Sequence, residues 1–552
     1  MLLTGSQIII EVLKEQNVDT VFGYPGGHVL RIYDELFKNQ NTIKHILTAH
    51  EQGASHAADG YSRASGEIGV VIATSGPGAT NLVTGLATAF ADSIPMVAIT
   101  GNVPLRLSGT DSFQEIDAMS LTVAVTKHSF FVRDVEKLAD TIRDAFKIAK
   151  SGRPGPVLID IPQDVQMALC TFKQQPKQEK DENDQPQMEQ LNKAIEMINE
   201  AKRPVIYCGG GVINSDSAKE INELAQKCDA YVIFSMMGLS AMNAKHPKYL
   251  GMAGMYGRQD ASRVMAQADL VIATGVRFAD RGTGNKEKFA QKAKIIHMDI
   301  DISEQGKILK ADTEVTGNLK TSLQYLAENI NQKHNGKWSE EVESIKEIHG
   351  EKPADKKLFR PKEIIETINK ILSSQTVVAT DVGQHQMWTA KYYSFAKPRT
   401  FLTSGGFGTM GFGMGAAIGA AVATKKKTLL ITGDGSFCMN MNEVTTAVRN
   451  NLPIIVVILN NGKLGMIKQL QTFFCDKNYY SIDLGYKTDF VKLADAFGAT
   501  GYRADNMEDL EIAMEKAMDA TGPVIVDCTI SPEEYAIPMM PPNGSINNII
   551  TR

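Results

Sequence analysis

The chain has 552 residues, 43% of them hydrophobic and 22% charged, with a formal net charge of −5. That length exceeds what one core serves and divides into roughly three to four domains, while the ordinary composition excludes wholesale disorder. Scattered Lys and Arg exclude a nucleic-acid or membrane-surface binder, and six far-apart cysteines (Cys170, Cys208, Cys228, Cys438, Cys475, Cys528) argue against a zinc or disulfide framework and fit a reducing cytosol.

The opening MLLTGSQIIIEVLKEQ has no basic stretch leading into an apolar one. It predicts a helix capped by Thr4 or Ser6, with apolar positions 8, 9, 12 and 13, and a cytoplasmic location. Apolar runs at 70–73, 96–100 and 157–161 then alternate with helical segments and Gly-rich turns. Residues 173–190 are polar and read as an extended linker. The rhythm resumes at 205–207, 231–234, 270–274 and 294–299, until a second charged linker, 332–358, which reads as one polar helix before an extended stretch. The last block carries runs at 376–380, 428–432, 454–459 and 524–528. Buried apolar runs between helices predict parallel α/β sheets. The expected fold is three doubly wound domains, at 1–172, 191–331 and 359–552. No run reaches the roughly 18 apolar residues of a membrane span.

The segment LLITGDGSFCMNMNEVTTAVRNNLPIIVVILNNGKLGM holds two apolar strands, ending in Gly433-Asp434-Gly435-Ser436 and in Asn460-Asn461-Gly462. Asp434 and Asn461 lie 27 residues apart (461 − 434), enough for strand, helix and strand, so both clusters fall at the carboxyl edge of one sheet. Oxygen donors there suit a hard cation holding a diphosphate: the Asp434 carboxylate, the Asn461 amide oxygen and the Lys463 backbone carbonyl. Gly433 and Gly435 let the backbone approach phosphates, and Ser436 opens a helix whose N–H groups favour an anion. The alternative is a pair of ordinary strand-to-helix turns.

This GDG…NN segment resembles the thiamine diphosphate enzymes, whose motif binds Mg²⁺ and diphosphate. Such enzymes need a carboxylate that hydrogen-bonds the cofactor's aminopyrimidine. ILTAHEQGASHAADGYSRASG offers Glu51, just after an apolar strand and before an Ala/Gly-rich helix; alone, Glu51 reads equally as a helix N-terminal acid. Pyrimidine and diphosphate then bind different blocks, and the resemblance implies a site between two subunits.

From Gly5 to about Thr551 the chain is similar to the catalytic subunit of acetohydroxyacid synthase (acetolactate synthase). The strings carrying the likeness are VFGYPGG (21–27), TSGPGATNLVTG (74–85), GTDSFQEID (109–117), SGRPGPVLIDIP (151–162), DVGQHQMW (381–388), LTSGGFGTMGFGM (402–414) and PMMPPNG (538–544). The likeness implies decarboxylation of pyruvate and transfer of the two-carbon unit to a second 2-keto acid, pyruvate or 2-ketobutyrate. It implies thiamine diphosphate and Mg²⁺, with Gly383, Gln384 and His385 helping to bind the diphosphate, Val382 beside the thiazolium ring and Met410 holding the bent cofactor. Pro25, Gly26, Pro77, Asn81, Gly408, Leu464, Gly465 and Met466 complete that site. Gln114 and Gly27 face the reacting atoms. Gly209, Gly210 and Gly211 alone fit a nucleotide loop or a plain tight turn. With LGMAGMYG, GVRFADRGTG and HMDID they match a flavin stretch, implying structural FAD across Arg153, those glycines, Ser235, Met236, Met237, Gly238, Met255, Arg277, Asp299 and Ile300. Arg281 is the candidate for the second substrate's carboxylate, or else pairs with Asp280. A homodimer or tetramer and a small regulatory subunit are also implied.

The sequence departs from the family's pattern at several points. Leu470 stands where Trp is usual, which predicts a weaker 2-ketobutyrate preference. Gln163 replaces Lys, Tyr256 replaces His, Asn318 replaces Asp, His28 replaces Ala and Gly415 replaces Pro. These departures leave flavin contacts less fixed than thiamine contacts. A catabolic acetolactate synthase, another thiamine-dependent decarboxylase or oxidase, and a degenerate nucleotide-binding regulatory protein remain alternatives.

Overall fold

The computed structural model describes residues 1–177, 187–352, 355, 358–485 and 488–551, so 178–186 of the first linker lie outside the described residues. The first block contains β1 (Leu2–Thr4), β2 (Thr20–Gly23), β3 (Lys44–Leu47), β4 (Gly69–Ala73), β5 (Met96–Asn102), β6 (His128–Phe131), β7 (Pro156–Pro162) and β8 (Leu169–Thr171). Six of these form a parallel sheet in the order β3-β2-β4-β5-β7-β6, while β1 and β8 pair as a separate antiparallel ribbon. The middle block has β9 (Pro204–Cys208), β10 (Tyr231–Phe234), β11 (Tyr249–Met252), β12 (Leu270–Thr274), β13 (Lys294–Asp299) and β14 (Thr313–Thr316), ordered β11-β10-β9-β12-β13-β14. The last has β15 (Val377–Thr380), β16 (Phe401–Leu402), β17 (Thr428–Gly433), β18 (Ile454–Asn460), β19 (Thr500–Ala504) and β20 (Val524–Thr529), ordered β16-β15-β17-β18-β20-β19. All three six-stranded sheets are parallel and flanked by helices, the expected α/β fold. No helix among the described residues is long and apolar enough to cross a membrane.

Local signals explain the elements. Thr4 caps the helix Gly5–Glu15 through a capping box with Gln7, while Ser6 donates to the Gln166 carbonyl instead. The central strands β4, β5, β9, β12, β17 and β18 are buried almost throughout, which is why they read as continuous apolar runs.

The helix Phe412–Thr424, apolar on all sides, presses on the helix Glu51–Ser65. Glycines make the approach possible. A Cβ on Gly60 would stand 2.3 Å from the Ala416 oxygen, and one on Gly415 would stand 2.6 Å from the His56 Cβ. This crossing fixes the first block against the third.

Within 332–358 the helix Gly336–His349 buries Trp338, Val342 and Ile345 in the same cluster as Tyr231, Val264 and Val271. Arg203 pairs with Glu341 at 2.8 Å and lies over the Trp338 ring, so this part of the segment is a layer of the middle block.

Candidate active site

β17 and β18 are parallel neighbours, with Gly433 opposite Leu459, so Asp434 and Asn461 leave the same sheet edge. Asp434 is buried and opens the helix Asp434–Asn440. Its two oxygens accept from the Gly435 N–H at 3.0 Å and the Gly462 N–H at 2.7 Å. Burial nevertheless pushes its carboxyl up to about 6. No Lys, Arg or His forms an ion pair with it among the described residues, so the site holds a buried carboxylate without a compensating positive charge. The Asn461 amide oxygen accepts from the Lys463 N–H at 3.0 Å, while its amide nitrogen faces Gln384 Oε1 at 3.5 Å. Among the described residues no cluster of three or more His, Cys, Asp or Glu gathers here or elsewhere. One carboxylate with amide and backbone oxygens suits Mg²⁺ rather than zinc.

The turn after β15 completes this edge. Ser436 donates to the Val382 carbonyl at 3.2 Å, and Asp381 accepts from Val382 and Gly411. Burial pushes the Asp381 carboxyl up to about 6. His385 is buried, and its Nε2 has no partner among the described residues. Burial lowers its pKa to about 3, leaving a neutral imidazole. Gly383 and Gly433 flank that ring: Cβ atoms there would come within 2.8 and 2.9 Å of it. The orphaned imidazole nitrogen is thus enclosed beside glycine backbone. Gly465 lets the next turn close, since its Cβ would stand 2.1 Å from Gln384 Oε1. Leu464 donates to the Ile482 carbonyl at 2.8 Å, and the Lys463 ammonium pairs with Asp483. Met410 is half-buried, and Gly408 has φ +70° with open space around it.

The first block presents a second surface. Glu51 is half-buried at the start of its helix, and Asn81 donates to its Oε2 at 3.0 Å. Gly26 and Gly78 both lie against Thr74, and a Cβ on Gly78 would be 3.5 Å from Glu51 Oε1. Gly76, just before Pro77, touches Gln114, which holds φ +61°. Pro25, Gly26, Gly27, Glu51, Pro77, Asn81 and Gln114 therefore share the carboxyl edge of this sheet. The Gln163 amide reaches the Gly27 carbonyl at 3.4 Å. Glu443 of the third block accepts from the Ala49 and His50 N–H groups at 3.1 and 3.0 Å, steadying the start of the Glu51 helix. Gly53 leaves room for it.

A cavity of about 1130 Å³ lies between the blocks. Of the predicted flavin set, Arg153, Gly210, Gly211, Ser235, Met236, Met237, Met255, Arg277, Asp299 and Ile300 line it. Gly209 and Gly238 stand behind the wall, packed on the Gly275 and Cys208 carbonyls where a Cβ would come within 2.0 and 2.3 Å. Arg153 donates to Ser93 at 2.8 Å and pairs with Glu304 at 3.3 Å. Burial raises the Asp299 pKa. Asn318 caps the helix Leu319–Asn329 and also lines the cavity. Arg281 lines it too and forms no ion pair among the described residues, Asp280 included; one of its N–H groups lies 3.0 Å from Met255 Sδ. Val382, Gly383, Gly408, Met466 and Leu470 bring the predicted thiamine side of the third block into the same space. In the single chain Glu51, Gln114 and Asp434 are not part of this lining.

Local motifs do not reveal the support for the 404–408 wall. Arg63 and Asp92, from the first block, are both buried and pair at 2.9 Å. Arg63 donates to the Thr403 carbonyl at 2.9 Å, and Asp92 accepts from Gly405 and Gly406 at 3.1 and 2.7 Å. Only the Asp59–Arg63 spacing of four, one helical turn, hints at the cluster.

Three family profiles match in chain order: "Thiamine pyrophosphate enzyme, N-terminal TPP binding domain" over 3–121, "central domain" over 191–326 and "C-terminal TPP binding domain" over 381–528. A probable acetolactate synthase large subunit of Methanocaldococcus jannaschii is 42% identical, covering 99% of this chain and 95% of that protein. The acetolactate synthase isozyme 2 large subunit of Escherichia coli K12 is 40% identical over 100% of both chains. The acetolactate synthase large subunit of Corynebacterium glutamicum is 41% identical, covering 99% of this chain and 90% of its own. With such likeness along its whole length, the chain belongs to the acetolactate synthase large-subunit family of thiamine pyrophosphate enzymes.

Proposed function

We propose that this enzyme decarboxylates pyruvate and joins the two-carbon unit to a second 2-keto acid. Pyruvate as acceptor gives 2-acetolactate, and 2-ketobutyrate gives 2-aceto-2-hydroxybutyrate, the first common step of branched-chain amino-acid synthesis. The observation that carries this reading is the buried Asp434 carboxylate, without a cationic partner, beside the Asn461 amide on one sheet edge. Intact Glu51, Asp434 and Asn461 support an enzyme over a degenerate binding protein.

Asp434, Asn461 and the Lys463 carbonyl hold Mg²⁺. Gly383, Gln384, His385, Gly433, Gly435 and Ser436 bind the diphosphate, and Val382, Gly408, Met410, Leu464, Gly465 and Met466 surround the thiazolium. Bound there, thiamine diphosphate supplies a carbon acid that adds to keto carbonyls and an electron sink for the bond broken beside them. Glu51, steadied by Asn81, holds a proton at the aminopyrimidine, with Pro25, Gly26 and Pro77 around that ring. Gln114 and Gly27 border the reacting atoms. The Arg281 fork takes the acceptor's carboxylate and Leu470 its side chain. FAD occupies the shared cavity in a structural role. Blocks 1–172, 191–331 and 359–552 correspond to pyrimidine, flavin and diphosphate domains.

Glu51 and Asp434 meet across two subunits of a cytoplasmic homodimer or tetramer, and the "large subunit" names of relatives support a small regulatory partner. The test is acetolactate production from pyruvate with and without thiamine diphosphate, Mg²⁺ and FAD. Glu51→Gln is expected to lose activity by at least about 100-fold with unchanged melting temperature. Full activity in that variant, or activity independent of thiamine diphosphate, overturns the reading.

A further inference from the structure

Two of the sequence's departures share one cavity. Tyr256 and Leu470 are 214 positions apart (470 − 256), yet both line the shared cavity. The Met255 N–H donates to the Arg281 carbonyl at 2.8 Å, and the Met255 sulfur accepts from the Arg281 guanidinium at 3.0 Å. Tyr256 and Arg281 are therefore held as one unit of the middle block. The Tyr256 hydroxyl lies 3.2 Å from Met466 Sδ. Met466 and Leu470 sit four residues apart on the helix Gly465–Phe474, hence on one face. The phenol of the middle block closes on that face of the third. A guanidinium without an ion pair, against Met255 and in one cavity with Met466 and Leu470, is recognition chemistry for a short 2-keto acid. The fork takes the carboxylate and the apolar wall takes the alkyl group.

We propose that Tyr256 is a specificity-determining residue for the acceptor 2-keto acid, its ring setting the depth of the apolar pocket on which Leu470 borders. The inference rests on the function proposed above. A hydroxyl on a thioether is a weak contact, so ring volume rather than the hydroxyl sets the selection.

The holoenzyme, loaded with thiamine diphosphate, Mg²⁺ and FAD, is given pyruvate and 2-ketobutyrate in competition, and the ratio of the two products is measured. Tyr256→Ala is expected to shift that ratio toward the larger acceptor by about 10-fold, the discrimination one methylene carries. Tyr256→Phe stays within about twofold of wild type, and the flavin absorbance of both variants is unchanged. Leu470→Trp combined with Tyr256→Ala departs by about fivefold or more from the product of the single effects, because the two side chains border one space. A flat ratio in Tyr256→Ala overturns the inference, as does Tyr256→Phe matching Tyr256→Ala, or multiplicative behaviour of the pair. Loss of flavin in Tyr256→Ala places the ring in cofactor binding and overturns it too. Wild-type protein that makes no acetolactate overturns the function itself, whereas an active wild type with a flat ratio overturns the inference alone.

Discussion

Gly419→Ala tests whether the helix crossing positions Glu51. A Cβ at 419 would stand 1.9 Å from the Ala57 oxygen and 2.5 Å from the Tyr61 amide nitrogen, where ordinary contact begins at 3.4 Å. Both neighbours are helix backbone, so no rotamer change relieves the clash and the helices must part by about 1.5 Å. Parting loosens the cluster that Ala54, Ala57, Ala58, Ala416 and Ala420 form between them. Overpacking of this kind costs about 1–3 kcal/mol, partly offset by the better helix propensity of Ala. A net loss of about 2 kcal/mol lowers the melting temperature by roughly 4–8 °C. Glu51 is the first residue of the displaced helix, and a shift of about 1 Å at a catalytic group costs roughly 100-fold in rate. Calorimetry and acetolactate formation read both effects. Gly336→Ala is the control, because nothing lies within 4 Å of its Cβ. A Gly419→Ala protein with wild-type melting temperature and rate refutes the reasoning.

Three further changes separate stability from function. Asp434→Asn removes a buried carboxylate without a cationic partner, so the cofactor-free protein should melt no lower than wild type while calorimetry shows Mg²⁺-dependent thiamine diphosphate binding weakened at least about 100-fold. Asp92→Ala removes one of two carboxylates from the buried Arg63 and frees two loop N–H groups; a loss of about 3–5 kcal/mol is expected in thermal melts. Burial pushes Asp160 up to about 7, against the lowering bonds from Thr100 and Asn102. Its folded value lies above its unfolded one, so its contribution is complete below about pH 4 and is lost as pH rises through 7, on the order of 4 kcal/mol in all. Denaturant unfolding at pH 5 and pH 8 should find Asp160→Asn gaining on wild type with rising pH; a constant difference counts against it.

The interior of each sheet is readable in the sequence because burial on both faces demands uninterrupted apolar residues, as in β4, β12 and β18. The rims are not. β6, β14 and β19 carry His128, Glu314 and Arg503 on strands that are partly wet, so no run stands out. The β1–β8 ribbon is a three-residue pairing between distant ends of one block, which no local pattern announces. The 332–358 stretch reads as a linker because its charge hides Trp338, Val342 and Ile345, spaced for one face of a helix. At the site, residues clustered in contiguous strings are legible, since strand-end glycines and acids sit beside each other in sequence. Arg63 and Glu443 are not, because their partners lie 340 and 393 residues away. The meeting of Tyr256 with Met466 is likewise a product of the fold alone.

The cavity's wall is drawn from all three blocks at once. A molecule filling it acts as a bolt through three plates, so its binding free energy appears as cohesion between domains. At a concentration 100 times the dissociation constant that cohesion is about 2.7 kcal/mol. The emptied protein should therefore come apart plate by plate on heating, and the filled one in a single step.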